Sequence, residues 1–136
     1  MKPDIKFELA GGPYAVTAAR LALVDLDSTV DPSTAFDVRL LVSELVTNSV
    51  QHASAGAEDS IRLHVDIGGE TVRVEVADNG PGFELREPIP DTQTDSGWGL
   101  FLVNQIADRW GVQREREACV WFEIDHGNRG AGQTAA

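Results

Sequence analysis

Apolar and polar residues alternate with a period of two in the middle of the chain. Ile61, Leu63, Val65 and Ile67 are separated by Arg62, His64 and Asp66, and Val72, Val74 and Val76 by Arg73 and Glu75. That is the period of a half-buried strand. Gly68-Gly69 between the runs is a tight-turn signal, so the two predict a β-hairpin. Upstream the period becomes helical. Val38, Leu41, Val42, Leu45 and Ser49 fall on one side at ~100° per residue, which predicts a helix from about Thr34 to Ala53. Asp31-Pro32-Ser33 supplies N-cap material for it, and Ser54 to Asp59 is a polar turn after it. Val16, Ala19, Leu23 and Leu26 predict an earlier helix over Tyr14 to Leu26, and Gly11-Gly12-Pro13 separates it from a short first strand, Ile5 to Leu9. Downstream, the polar stretch Glu84 to Ser96, with Pro88 and Pro90, reads as a loop. Leu100, Val103, Ile106, Ala107 and Trp110 mark a third helix, ended by Gly111. Val112 to Arg116, and Val120 with Phe122 and Ile124, form two closing strands, and His126 to Ala136 reads as a flexible tail.

The resulting order is β-α-α-β-β-loop-α-β-β. Helices do not alternate strictly with strands, which favours an α+β fold: a two-layer sandwich with a mixed, mostly antiparallel sheet and its helices on one face. A chain of 136 residues suits one core, giving a single domain over 1–125 and a tail over 126–136. No apolar run approaches the roughly 20 residues of a membrane span. Met1-Lys2-Pro3-Asp4 lacks the apolar stretch of a signal peptide, and the single cysteine, Cys119, has no internal partner for a disulfide. Together these predict a cytoplasmic protein. The net charge of -11 argues against a general nucleic-acid binder, which needs a basic face, but not against a nucleotide, whose charge a metal offsets locally.

Candidate chemistry concentrates in two places. Glu44, Asn48 and His52 are successive i, i+4 neighbours on the long helix, and their row drifts from the polar flank into the apolar stripe. Asn48 can offer its amide oxygen to a hard cation such as Mg²⁺. Glu44 can orient a metal-bound water or accept a hydroxyl proton. The same row also fits an amphipathic helix with a solvated polar border. Asp78 shares parity with Val72, Val74 and Val76, so on a regular strand it points into the core, where a carboxylate needs hydrogen-bond donors. An adenine amine is one such donor; a turn at Asp78-Asn79-Gly80 is the competing reading. Gly80 and Gly82 permit close backbone approach, and Gly97 and Gly99 precede a helix whose N–H groups can hold phosphate oxygens. Gly82 to Gly97 would then form a hinged cover. His64 lies on the exposed parity of its strand. Cys119 has no metal-binding neighbours in the sequence, Trp110 and Trp121 fit core or sheet-face packing, and Trp98 stands between the cover's glycines.

These motifs resemble the Bergerat-fold (GHKL) ATP-binding superfamily. Glu44-x-x-x-Asn48-x-x-x-His52-Ala53 looks like its N box, Asp78-x-Gly80-x-Gly82 like its G1 box and Gly97-x-Gly99-Leu100 like its G2 box, in the right order and within a resemblance running from Phe7 to Ile124. The stretches 41–48, 99–103 and 107–112 are similar to stand-alone anti-sigma-factor serine/threonine kinases of actinobacterial type. The resemblance implies ATP and Mg²⁺ as cofactors, with Glu44 as general base and Asn48 as Mg²⁺ ligand. Asp78 would read the adenine amine, Gly80 and Gly82 would shape the adenine pocket, and Gly97, Trp98, Gly99 and Leu100 would meet the phosphates. It further implies phosphorylation of a Ser or Thr on an anti-sigma antagonist, sequestration of a sigma factor, and a possible homodimer, with no direct contact to nucleic acid or membrane. Cys119 stands where relatives often carry threonine, and Trp98 where arginine is frequent. A non-catalytic nucleotide-dependent binding switch and a detached histidine-kinase catalytic domain are the alternatives left open.

Overall fold

A computed structural model describes residues 4–51, 60–78, 98–114 and 118–126. Strand β1 (Asp4–Ala10) is followed by helix α1 (Ala15–Ala22), a 3-10 turn at Leu26–Ser28 and the long helix α2 (Pro32–Gln51). The hairpin β2 (Ser60–Ile67) and β3 (Thr71–Asp78), helix α3 (Trp98–Ile106) and strands β4 (Arg109–Arg114) and β5 (Ala118–Asp125) complete the order. The five strands form one sheet in the order β1-β2-β3-β5-β4. Every pairing is antiparallel, so the sheet is not mixed. Helices α1 and α2 pack on each other and on β1, β3 and β5, giving the two layers that the order of elements predicts.

The local chemistry explains most boundaries. Asp31 caps α2: its Oδ2 accepts the Thr34 N–H at 3.0 Å and its Oδ1 the Thr34 hydroxyl at 2.7 Å, while Pro32 occupies the first helical position, where a missing N–H costs nothing. Gly12, with φ at 98°, makes the turn into α1 that a residue with a Cβ would strain. In the hairpin, the Gly68 N–H donates to the Thr71 carbonyl at 2.8 Å, which puts Gly69 and Glu70 at the centre of the turn, one residue beyond the Gly68-Gly69 pair.

Two helices end earlier than their apolar spacing predicts. α1 stops at Ala22. Leu23, Val24 and Leu26 then bond back to carbonyls three residues earlier, so Leu26 is buried from a 3-10 turn and not from the helix. α3 stops at Ile106, and Trp110 and Gly111 belong to β4, paired with Phe122 and Trp121. Gly111 is therefore a strand residue and not a helix stop.

The core lies between the layers. Val38, Leu41, Val42, Leu45 and Val46 of α2 meet Leu63, Val65, Val72, Val74, Phe122 and Ile124 of the sheet, all buried. The opposite sheet face is polar. There Lys6, Asp4, His64, Glu75, Arg73, Glu123, Arg109 and Asp125 follow one another as contacting, mostly alternating charges across the strands. Among the described residues no helix is long and apolar enough to cross a membrane.

Candidate functional site

Helix α2 carries the first group of expected site residues. Ser43 and Asn48 are buried and Glu44 is half-buried, so the step from Glu44 to Asn48 does sink from the flank into the core. Ser43 is braced from two sides. Its hydroxyl accepts the Arg20 Nε–H from α1 at 3.3 Å, and its carbonyl accepts the Thr47 hydroxyl at 2.7 Å. Next to it, Glu44 lines an open cavity between α1 and α2 together with Arg20, Phe36, Arg39, Leu40 and Ser43. Arg39 faces Asp27, its Nη2 being 3.3 Å from both carboxylate oxygens.

The end of β3 carries the second group. Asp78 is a strand residue, paired with Ile61 on β2 and Ala118 on β5. The competing turn at 78–80 therefore does not begin before it. At 1% exposure it is as buried as the valines that share its face. Its Oδ2 is buried and accepts no hydrogen bond, although the residue has other interactions. A carboxylate in this position favours a ligand that brings a donor. Helix α2, with Asn48, packs on β3. An acid that accepts and an amide that both donates and accepts are thus placed on two elements that touch, a donor set that suits an adenine base and a hard cation.

Trp98, Gly99 and Leu100 form the first turn of α3. Gly99 is accordingly inside the helix and not before it, where the N–H groups of the first turn lack intrahelical acceptors. Gly80, Gly82, Gly97, His52 and the expected cover from 82 to 97 lie outside the described residues. Cys119 pairs with Ala77 and Gln113, one position away from the Ala118 that pairs with Asp78. His64 lies on the outer sheet face, bonded to Asp4 and 4.0 Å from Glu75. Among the described residues no three His, Cys, Asp or Glu side chains form a metal cage. Mg²⁺ commonly keeps several waters and takes phosphate oxygens, so it needs no such cage.

Sequence patterning missed Arg20. It sits beside the apolar stripe of α1 with no motif around it, and only the packing of α1 on α2 brings it to Ser43.

The histidine kinase-like ATPase domain profile matches residues 10–124. An anti-sigma F factor of Clostridium botulinum (strain Eklund 17B / Type B) is 34% identical over 112 residues, covering 76% of this chain and 77% of that protein. A serine-protein kinase RsbW of Listeria monocytogenes serovar 1/2a is 34% identical over 122 residues, covering 79% and 78%. Among solved structures, the blue-light activated histidine kinase of Erythrobacter litoralis EL346 superposes with a TM-score of 0.60 at 29% identity. The match covers 75% of this chain but 33% of that one. The histidine kinase domain of the same protein gives a TM-score of 0.60 at 25% identity, covering 86% and 60%.

Proposed function

This chain belongs to the histidine kinase-like ATPase domain family, and from that premise we propose that it is an anti-sigma regulator. It binds ATP with Mg²⁺, phosphorylates a serine or threonine on an anti-sigma antagonist, and holds a sigma factor inactive. The observation that carries the ATP site is Asp78, a carboxylate buried to 1% exposure on the apolar face of the sheet, beside valine, leucine, isoleucine and phenylalanine side chains. Such placement costs free energy that hydrogen-bond donors must offset. The names of the relatives, anti-sigma F factor and serine-protein kinase, support the choice of partners and acceptor.

In this reading Asp78 accepts a hydrogen bond from the adenine amine and fixes the base. Gly80 and Gly82 let the backbone approach it, and Asn48 offers its amide oxygen to Mg²⁺. Bound Mg²⁺ neutralises phosphate charge. The N–H groups of Trp98, Gly99 and Leu100, with Gly97 before them, face phosphate oxygens. Glu44 takes the proton of the acceptor hydroxyl as its oxygen bonds to the γ-phosphorus. The bond from that phosphorus to the β,γ-bridging oxygen breaks, and ADP leaves. Catalysis is then mainly positioning and charge neutralisation.

The test is transfer from labelled ATP to candidate antagonist proteins in the presence of Mg²⁺. Transfer to Ser or Thr that disappears in Glu44→Ala, with nucleotide binding retained, supports the kinase. Nucleotide binding without transfer to any cognate antagonist would leave a binding switch in its place.

A further inference from the structure

Strand β1 ends the sheet. One side of its backbone bonds to β2, and among the described residues no strand pairs with the other side. An open edge of this kind is a template for a further strand. On its helix side, Ile5, Phe7 and Leu9 pair with Val65, Leu63 and Ile61. Phe7 is 44% exposed although Leu63 opposite it is buried, so the apolar layer runs out to the edge. Helix α1, which packs on β1 as well as on α2, extends the same patch. Its Arg20 reaches Ser43 of α2 from one side of the buried Ala15 and Ala19. Tyr14 and Leu21 lie about 100–120° round the helix from Arg20, on the opposite flank, and both are exposed.

We propose that β1 pairs antiparallel with β1 of a second copy of this chain, about a two-fold axis at Phe7. The strand's own sequence selects both the occupant and the register. With Phe7 opposite Phe7, Ile5 meets Leu9 on the apolar face, and Lys6 meets Glu8 on the outer face, once on each side of the axis. A slip of one residue would set Phe7 against Lys6. A slip of two would set Lys6 against Lys6 and Asp4 against Glu8 in one direction, and Glu8 against Glu8 in the other. Like charges directly opposite are destabilising, so one register alone is favourable on both faces. Charged residues on an edge ordinarily repel a second strand. Here they alternate in sign, and each copy supplies the charge that the other lacks. The two sheets then join into one, with both helix layers on the same side and Tyr14 and Leu21 of each copy turned toward the axis. None of these residues is assigned to the nucleotide site, so the proposal stands apart from that reading.

The experiment is sedimentation equilibrium of the full chain as wild type, Lys6→Glu, Glu8→Lys and the double reversal, each checked for folding by circular dichroism. Wild type is expected to be a dimer. Either single reversal replaces two attractive pairs by two repulsive ones and is expected to raise the dimer Kd about tenfold or more. Mixing the two single variants, or combining both reversals in one chain, sets opposite charges across the axis again. Each is expected to return the Kd to within about threefold of wild type. Glu8 lies opposite Arg62 of β2, so Lys6→Glu carries the test if Glu8→Lys does not fold. Added salt should then tighten the Lys6→Glu dimer more than the wild-type one, because it screens repulsion in the first and attraction in the second. Wild type that stays monomeric up to on the order of 100 μM overturns the proposal and leaves the edge to a strand of another protein. A dimer indifferent to the reversals, or weakened by them and not recovered by mixing, also overturns it and puts the contact on another surface.

Discussion

A Cβ built on Gly111 would lie 2.8 Å from Nε1 of Trp121. The indole rests against the bare backbone of β4, and the Arg73 guanidinium lies over the same ring, 4.4 Å from its centroid. Contacts from β3 and β4 thus hold the half-buried ring. Gly111→Ala is expected to lose about 1–3 kcal/mol of stability, the usual range for overpacking, seen as a lower urea midpoint at unchanged slope. A loss below a few tenths of a kcal/mol would mean that the ring shifts freely.

Asp78→Asn keeps the shape of the side chain and removes the charge. Exchanging a charge-assisted acceptor for a neutral amide is expected to weaken ATP binding roughly ten- to a hundredfold, from about 1.5–3 kcal/mol for a hydrogen bond to a charged group. Thermal stability is expected to stay level or rise, because a buried charge is removed. Calorimetric titration and a melting curve on the same sample check both. Undiminished ATP affinity would show that the pocket lies elsewhere.

Asp31→Ala removes the cap of α2 and is expected to cost about 1 kcal/mol. Burial pushes the Asp31 carboxyl up, but the hydrogen bonds from Thr34 outweigh it and hold the group below its ordinary value. A depressed native pKa means that the charged cap stabilises the fold fully above the unfolded value of about 3.9 and loses that contribution as pH falls through the native one. The gap in stability between wild type and Asp31→Ala should therefore be constant near neutrality and close below about pH 4. A gap that persists at acid pH would assign the loss to packing.

Glu123 receives Arg109 Nε at 2.6 Å and Arg73 Nη1 at 3.2 Å. The Arg109 hydrogen bond is the chief reason its carboxyl sits below the ordinary range, despite burial acting the other way. Both arginines remain substantially exposed, so solvent screens the pairs. Glu123→Gln is expected to change stability by less than about 1 kcal/mol at neutral pH and moderate salt. That difference should shrink further at high salt, where screening is stronger.

The sheet was legible in the sequence wherever one face is apolar and the other charged. The parity argument places Asp78 inward, and the structure finds it there. It failed where two periods overlap. Trp110 lies four residues after Ile106, so it continues the helical spacing of α3, yet the same residue also satisfies the alternation of β4. The backbone bond from Asp108 N–H to the Glu123 carbonyl, at 2.9 Å, joins the sheet before a further helical turn can form. Leu26 misled for a similar reason, since a 3-10 turn buries it nearly as a continued helix would. Arg20 was not legible because its neighbour across space, Ser43, is 23 residues away in the chain, and spacing along one helix carries no information about a contact with another.

The charged face of the sheet has a use that its small free energies conceal. Apolar alternation forbids β5 from slipping by one residue against β3, because Phe122 and Ile124 would turn outward. It does not forbid a slip of two, which keeps every side chain on its own face. The charges do. Only one alignment sets Glu123 between Arg73 and Arg109 and gives Thr71 the Asp125 carboxylate at 2.9 Å. A slip of two would also carry Ala118 some 7 Å away from Asp78. The outer face therefore works as a vernier for the inner one. Weak and exposed contacts select the single register in which the buried acid meets its intended neighbours.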